Sequence, residues 1–310
     1  MIIGHKKQIE FLRNSILSEK IPQAFLFEGE ENLGKKKVAF EFVKTIFCDQ
    51  PEAEEKPCQT CQSCLLIEKT SHPDFIFISP QKKEIQIDQI RDLQTQLNLK
   101  PVLAKVRAII INDAHCLNIQ AQNCFLKTLE EPKSQTIFIL ISSLPNVLLG
   151  TIQSRCESLK FYPLGVKEIQ EITMSQEVLQ YSSGKPGMAI SFLKNQDVFL
   201  EFQSSLKIAK EFLTKDLLAK MLFIKEFFPK KEFSPQDKEE NNSAKEILFL
   251  LDSMIWHLRK ALFQRVDGVV KASALLKTKK AIELTEEAKM LLQTTNVNPR
   301  LLLENLILNF

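Results

Sequence analysis

Residues 29–36, Gly29-Glu30-Glu31-Asn32-Leu33-Gly34-Lys35-Lys36, have the G-x-x-x-x-G-K spacing of a phosphate-binding loop. In such a loop the backbone N–H groups cradle phosphates, the lysine reaches the terminal phosphates, and a following Ser or Thr holds Mg²⁺. Here the following residue is Lys36, whose ammonium has donors but no lone pair and cannot ligate a cation. Glu30 and Glu31, inside the loop, further disfavour a polyphosphate. A second station is altered in the same direction. After Ile109-Ile110-Ile111, where an ATPase offers a metal-binding Asp and then a water-activating Glu, the chain reads Asn112-Asp113. An Asn amide carries no formal charge and binds Mg²⁺ poorly. These residues describe a vestigial nucleotide fold; an ATP-binding but slow site and an accidental glycine turn are the alternatives.

The second grouping is Cys48, Cys58, Cys61 and Cys64, in the pattern C-x9-C-x2-C-x2-C, which holds four of the seven cysteines. Four thiolates satisfy a closed tetrahedral Zn²⁺ site, and a two-residue gap lets neighbouring thiolates reach one ion. With no fifth ligand evident, the expected metal is structural, supplying folding energy to an insertion over 48–64 that has little apolar core. An iron–sulfur cluster or free thiols are the alternatives. Cys116, Cys124 and Cys156 stand apart and read as packing residues.

The elements that must position these groups are visible as apolar runs. Ala24-Phe25-Leu26-Phe27 reads as a buried strand entering the glycine loop, and a helix is expected over about 34–47. Then come Phe75-Ile76-Phe77-Ile78, a helix near 87–98, Ala108-Ile109-Ile110-Ile111, a helix near 118–131, and Thr136-Ile137-Phe138-Ile139-Leu140-Ile141. Ile9, Leu12 and Ile16 mark a further helix before the first strand. Short apolar strands alternating with amphipathic helices predict an α/β N-terminal domain, a parallel sheet covered on both faces. From about Tyr162-Pro163 the strand signal fades and helical patterning takes over, so the expected divisions are 1–162, 163–202 and 203–310. Pro229 to Asn242 reads as a polar surface loop.

Composition limits the function classes. Forty-one Lys and Arg against 38 Asp and Glu leave +3, so no strongly basic surface dominates, and 44% apolar with 25% charged residues argues against long disorder. The start of the chain lacks the apolar stretch of a signal peptide, and no window offers about 20 consecutive apolar residues, so a cytoplasmic protein is expected. Glycine is scarce, and half of the 8 glycines sit in two short motifs, Gly29 and Gly34 in the loop and Gly184 and Gly187 around Lys185-Pro186.

Taken in order, the loop at 29–36, the four cysteines, His72-Pro73-Asp74, residues 109–114, Leu126-Lys127-Thr128-Leu129-Glu130-Glu131-Pro132, Ser154-Arg155-Cys156 and Gly184-Lys185-Pro186-Gly187 resemble the bacterial DNA polymerase III clamp-loader family of AAA+ proteins. The resemblance covers the first 190 residues and implies an AAA+ domain, a small helical lid over 163–202 and an all-α collar over 203–310. It also implies that Arg155, flanked by Ser154 and Cys156, is an arginine finger reaching the γ-phosphate of an adjacent motor subunit. Lys36, Asn112 and Met188, which stands where an active lid motif supplies Arg, point within the family to a member without its own ATPase activity. The implied partners are the motor subunits and the clamp-opening delta subunit, with the sliding clamp and primer–template DNA as substrates of the hetero-oligomeric assembly. An active ATPase motor subunit is the alternative, and a zinc-bearing nucleic-acid-binding module a more distant one.

Overall fold

The computed structural model describes residues 2–50, 56–81, 83–131, 135–227, 239–266, 272–295 and 297–309. The chain divides into two compact units, Met1–Ile190 and Ser191–Phe310.

The first unit runs α1 (Lys6–Leu17), β1 (Ala24–Glu28), α2 (Lys35–Phe47), α3 (Gln62–Glu68), β2 (Phe75–Ile78), α4 (Ile87–Leu97), β3 (Arg107–Ile111), α5 (Ile119–Glu130), β4 (Thr136–Ser142), α6 (Gly150–Gln153), β5 (Glu157–Lys160), α7 (Val166–Gln170) and α8 (Gln176–Ser182). Its five strands form one sheet in the order β2-β3-β4-β1-β5, every pairing parallel. The apolar runs form strands because both faces of the sheet are covered. Alternate residues serve two cores: Leu26, Ile109, Ile111, Phe138 and Leu140 pack with Ile90, Leu93, Phe125 and Leu129 of α4 and α5. Phe25, Phe27, Ile110, Ile139 and Ile141 pack with Leu12, Val38, Ala39, Phe42 and Val43 of α1 and α2. All are nearly free of solvent, and each Val, Leu, Ile or Phe among them contributes about 1.5–3 kcal/mol of transfer free energy. The register sets Phe27 of β1 opposite Ile141 of β4, so the loop after β1 emerges at the carboxyl edge of the central strands, where ligands of such sheets sit.

At the opposite edge, buried charges shape the 98–106 loop. The Asp74 carboxylate, fully buried, accepts backbone N–H bonds from Val102 (2.7 Å), Leu103 (2.7 Å) and Ala104 (2.8 Å). The His72 ring stacks on Phe47 at 5.0 Å, and its Nδ1 accepts the Asp74 N–H. The buried Arg107 guanidinium donates to the carbonyls of Gln96 and Lys100. The loop so fixed leaves Leu99, Val102 and Leu103 exposed.

The strand β5 has no counterpart among the expected strands. Its sequence, Glu157-Ser158-Leu159-Lys160, carries no apolar run because it is a mostly exposed edge strand beside β1. The division at 190/191 falls within α9 (Pro186–Lys194), and the second unit continues with α10 (Gln196–Thr214), α11 (Leu217–Phe227), α12 (Glu239–Val266), α13 (Ala272–Thr294) and α14 (Pro299–Leu308). Phe212, Ile224, Leu251, Met254, Leu292 and Leu303 form its core. The predicted polar loop Pro229 to Asn242 lies outside the described residues as far as 238; Glu239 opens α12. Among the described residues, no helix is long and apolar enough to cross a membrane.

Candidate functional site: phosphate loop, cysteine cluster and Arg155

The loop between β1 and α2 is fixed by backbone conformations that glycine favours. Gly29 has φ +141°, and a Cβ there would lie 2.4 Å from the Phe161 carbonyl oxygen; Gly34, at φ +93°, caps α2. The loop's carbonyls are engaged from several directions. Lys35 Nζ donates to Gly29 O and Glu30 O at 2.5 Å each, and His5 Nε2 donates to Leu33 O at 2.7 Å. Burial lowers the Lys35 ammonium to about 8, against the opposing pull of Glu31, Asp113 and Glu30. Lys36, the residue after Lys35, lays its ammonium 4.6 Å from the Phe77 ring centroid and 5.8 Å from that of Phe40. Asn112 Nδ2 donates to Asp113 Oδ2 at 2.7 Å. Burial raises the Asp113 carboxyl and lowers the nearby His115 imidazole, so both lean toward their neutral forms.

The segment after β5 closes onto this loop. Gly187 N–H donates to Asn32 O at 2.8 Å, and Lys185 Nζ ion-pairs with Glu30 Oε2 at 2.7 Å. A Cβ at position 187 would lie 2.9 Å from Asn32 O. The sequence picked out this turn by its two glycines, and Lys185 and Gly187 are residues of it that meet the loop. The sequence did not reveal that His5, Lys185 and Glu30 make these contacts, because His5 and Lys185 reach the loop from distant parts of the chain.

The four expected cysteines converge: the Sγ atoms of Cys48, Cys58, Cys61 and Cys64 all lie within 4.8 Å of one another. A tetrahedral zinc with Zn–S bonds near 2.3 Å requires S···S separations of about 3.8 Å, so the set fits such an ion with small adjustments. Backbone N–H groups already point at the sulfurs, Cys58 N–H to Cys48 Sγ (3.4 Å), Cys61 N–H to Cys58 Sγ (3.3 Å) and Cys64 N–H to Cys61 Sγ (3.4 Å). Hydrogen bonds from Thr60 lower the Cys58 thiol to about 6, whereas burial raises that of Cys64. The cluster is tied to α2 by Lys44, which is buried, ion-pairs with Glu41 (3.2 Å) and Glu68, and donates to Gln59 (2.9 Å).

Arg155 follows the short helix α6, and it is half-exposed. Its Nη2 ion-pairs with Glu130 Oε1 at 2.7 Å, and its Nη1 donates to Thr151 O at 2.9 Å. Ser154 Oγ also donates to Thr151 O, while burial pushes the Cys156 thiol up to about 12, the mark of a packing residue rather than a reactive one. The turn is anchored to α5 by the buried Gln122, which accepts the Leu149 N–H (2.8 Å) and donates to Leu117 O (3.0 Å). Glu130, at the end of α5, is thus the carboxylate partner of Arg155.

A parallel sheet in this strand order, with a glycine loop running from its central strand into a helix and a helical segment over that loop, defines an AAA+-type nucleotide-binding fold. Within that class the chain belongs to the family described as DNA polymerase III, delta subunit, which matches residues 4–165. It is 30% identical to DNA polymerase III subunit delta' of Bacillus subtilis, over 97% of this chain and 94% of that one. The delta' subunit of Escherichia coli is also 30% identical, over 56% of this chain and 55% of its own length. Among solved structures, a DNA polymerase III gamma-subunit-related protein from Thermotoga maritima superposes with a TM-score of 0.50 at 20% identity, covering 97% of each chain, a likeness of fold.

Proposed function

We propose that this chain is a delta'-like subunit of a DNA polymerase III clamp loader that hydrolyses no ATP of its own and supplies Arg155 in trans to a neighbouring motor subunit. The observation that carries this reading is the pairing of a phosphate loop without metal chemistry with a half-exposed arginine. Lys36 and Asn112 replace the hydroxyl and the carboxylate that would hold Mg²⁺, and the Lys36 ammonium lies over aromatic rings. Arg155 stands on an anchored turn with two acceptors among the described residues, Glu130 and Thr151, for its five-donor guanidinium. A guanidinium delivered to a γ-phosphate spreads over the charge of the transition state.

On this reading residues 163–202 act as a lid and 203–310 as the collar of a hetero-oligomeric ring with motor subunits and a delta subunit. The sliding clamp and primer–template DNA are the substrates of the assembly. Cys48, Cys58, Cys61 and Cys64 hold one structural zinc, which closes the insertion and supplies no chemistry to the ring. The test has two arms. The isolated chain is assayed for ATP binding and hydrolysis, and a reconstituted loader is assayed with wild type or Arg155→Ala. The expected result is no intrinsic hydrolysis and a loss of about 10³–10⁵ in the rate at the neighbouring site with assembly intact. Robust hydrolysis by the chain alone makes it a motor and overturns the reading, as does undiminished ATPase of an assembled Arg155→Ala ring.

A further inference from the structure

The contacts between the Gly184–Gly187 turn and the phosphate loop have no role in the reading above. We propose that Glu30, Lys185 and the Gly187 N–H form a built-in clasp that fastens the lid segment to the phosphate loop in the absence of nucleotide. The inference rests on the non-hydrolysing reading only for its consequence, a lid insensitive to ATP; the clasp itself rests on four observations.

Lys185 is largely withdrawn from solvent, with its side chain 15% exposed, and its ammonium sits 2.7 Å from Glu30 Oε2. Gly187 N–H donates to Asn32 O at 2.8 Å, one turn of loop further on. The backbones approach so closely that a Cβ at 187 would stand 3.2 Å from Asn32 Cα as well as 2.9 Å from Asn32 O. The turn is itself pinned, because Leu164 N–H donates to Gly184 O at 2.8 Å and Gly184 holds φ +77°. An acid at position 30 is unfavourable for a loop that must receive a polyphosphate, yet it is well placed to receive a lysine. The chain supplies that lysine from its own lid. A cleft in which the γ-phosphate would otherwise recruit the lid instead recruits it through side chains, so lid position becomes a fixed property of the fold.

The experiment is amide hydrogen exchange on the full-length chain, with and without millimolar MgATP, comparing wild type, Glu30→Ala, Lys185→Ala and the swapped pair Glu30→Lys with Lys185→Glu. Amides of 107–111 in β3 report global integrity, since local openings are read against the core. Each single variant is expected to speed exchange in 30–34 and 184–190 by about two- to fivefold, the range of a part-exposed ion pair, with β3 unchanged. The swapped pair is expected to recover at least half of the lost protection, which separates pairing from a mere loss of bulk. MgATP leaves the wild-type lid unaltered. Wild-type exchange in both single variants or no recovery in the swap would overturn the clasp, and several-fold protection of the lid by MgATP would overturn the fixed lid position drawn from it. Hydrolysis of the added ATP by wild type would sink the non-hydrolysing reading instead, whatever the variants show.

Discussion

Replacing Asp74 by Asn is a nearly isosteric change with a large expected effect. In the wild type, one carboxylate oxygen takes the Val102 N–H and the other takes those of Leu103 and Ala104, all at 2.7–2.8 Å. An amide has a single oxygen, so whichever way it turns, its NH₂ faces at least one backbone N–H, donor against donor. The best orientation keeps the oxygen on Leu103 and Ala104 and leaves the Val102 donor without it, at a cost of about 1–3 kcal/mol. The two bonds that survive fall from charge-assisted to neutral, about half as strong. Together these give a loss of about 3 kcal/mol, or roughly a hundredfold in the opening equilibrium of the 98–106 loop. Hydrogen exchange at the Leu103 and Ala104 amides of the full chain, referenced to β3, measures it. A pH arm adds a sign. Burial alone would raise the Asp74 carboxyl, but the three N–H bonds and the neighbouring His72 outweigh it and hold it below its ordinary 3.8. A carboxyl lowered in the folded state contributes stability that is fully present above the unfolded value and lost as pH falls through the folded one. Wild-type protection should therefore decline in acid, below pH 3.8, toward that of the Asn variant. Wild-type protection in the Asn variant at neutral pH, or a gap between the two that persists unchanged in acid, would refute the account of Asp74 as the organiser of this loop.

Natively purified chain should contain about one zinc, and Cys61→Ser should release it and unfold the 56–68 region, seen by metal analysis with hydrogen exchange; a metal-free wild type of full stability counts against the centre. Lys35, lowered to about 8 by burial, sheds its proton on folding between that value and its ordinary 10.5, so stability should rise with pH across the window by up to about 3 kcal/mol. Comparing denaturation of wild type and Lys35→Met from pH 7.5 to 10.5 isolates this slope, and equal slopes would show that Lys35 is not desolvated. Gly187→Ala places a methyl 2.9 Å from a backbone oxygen and should cost about 1–3 kcal/mol in thermal unfolding; an unchanged melting temperature would mean the two segments separate freely.

The strands whose side chains are buried on both faces were legible as apolar runs, each within a residue of its end: the expected 75–78 is β2, 108–111 lacks only Arg107, and 136–141 lacks only Ser142. The exception, β5, is defined by backbone pairing to β1 and presents mostly exposed side chains, so hydropathy could not reveal it. The same division holds at the site. Spacing along the chain brought out the glycine loop and the four cysteines because their partners are near in sequence. Contacts across long separations, Arg155 with Glu130, Lys185 with Glu30, His5 with Leu33, depend on where the sheet delivers each loop, which no local pattern encodes. The helix α3, which contains Cys64, was hidden for a related reason: Cys61 is its N-cap, its Sγ accepting from Cys64 N–H, so the cysteine spacing doubles as a helix start.

That economy extends along α2. The helix begins at Lys35, the residue that fills the phosphate loop, and ends at Phe47, one residue before the first cysteine of the cluster. Thirteen residues at 1.5 Å each make a rod about 20 Å long. Loop and cluster are therefore mechanically in series, joined by a strut whose far end Lys44 bolts to the cysteine module. Slack introduced at one end has no hinge within the rod to absorb it, so opening of the cysteine cluster should be felt as play at the glycine loop.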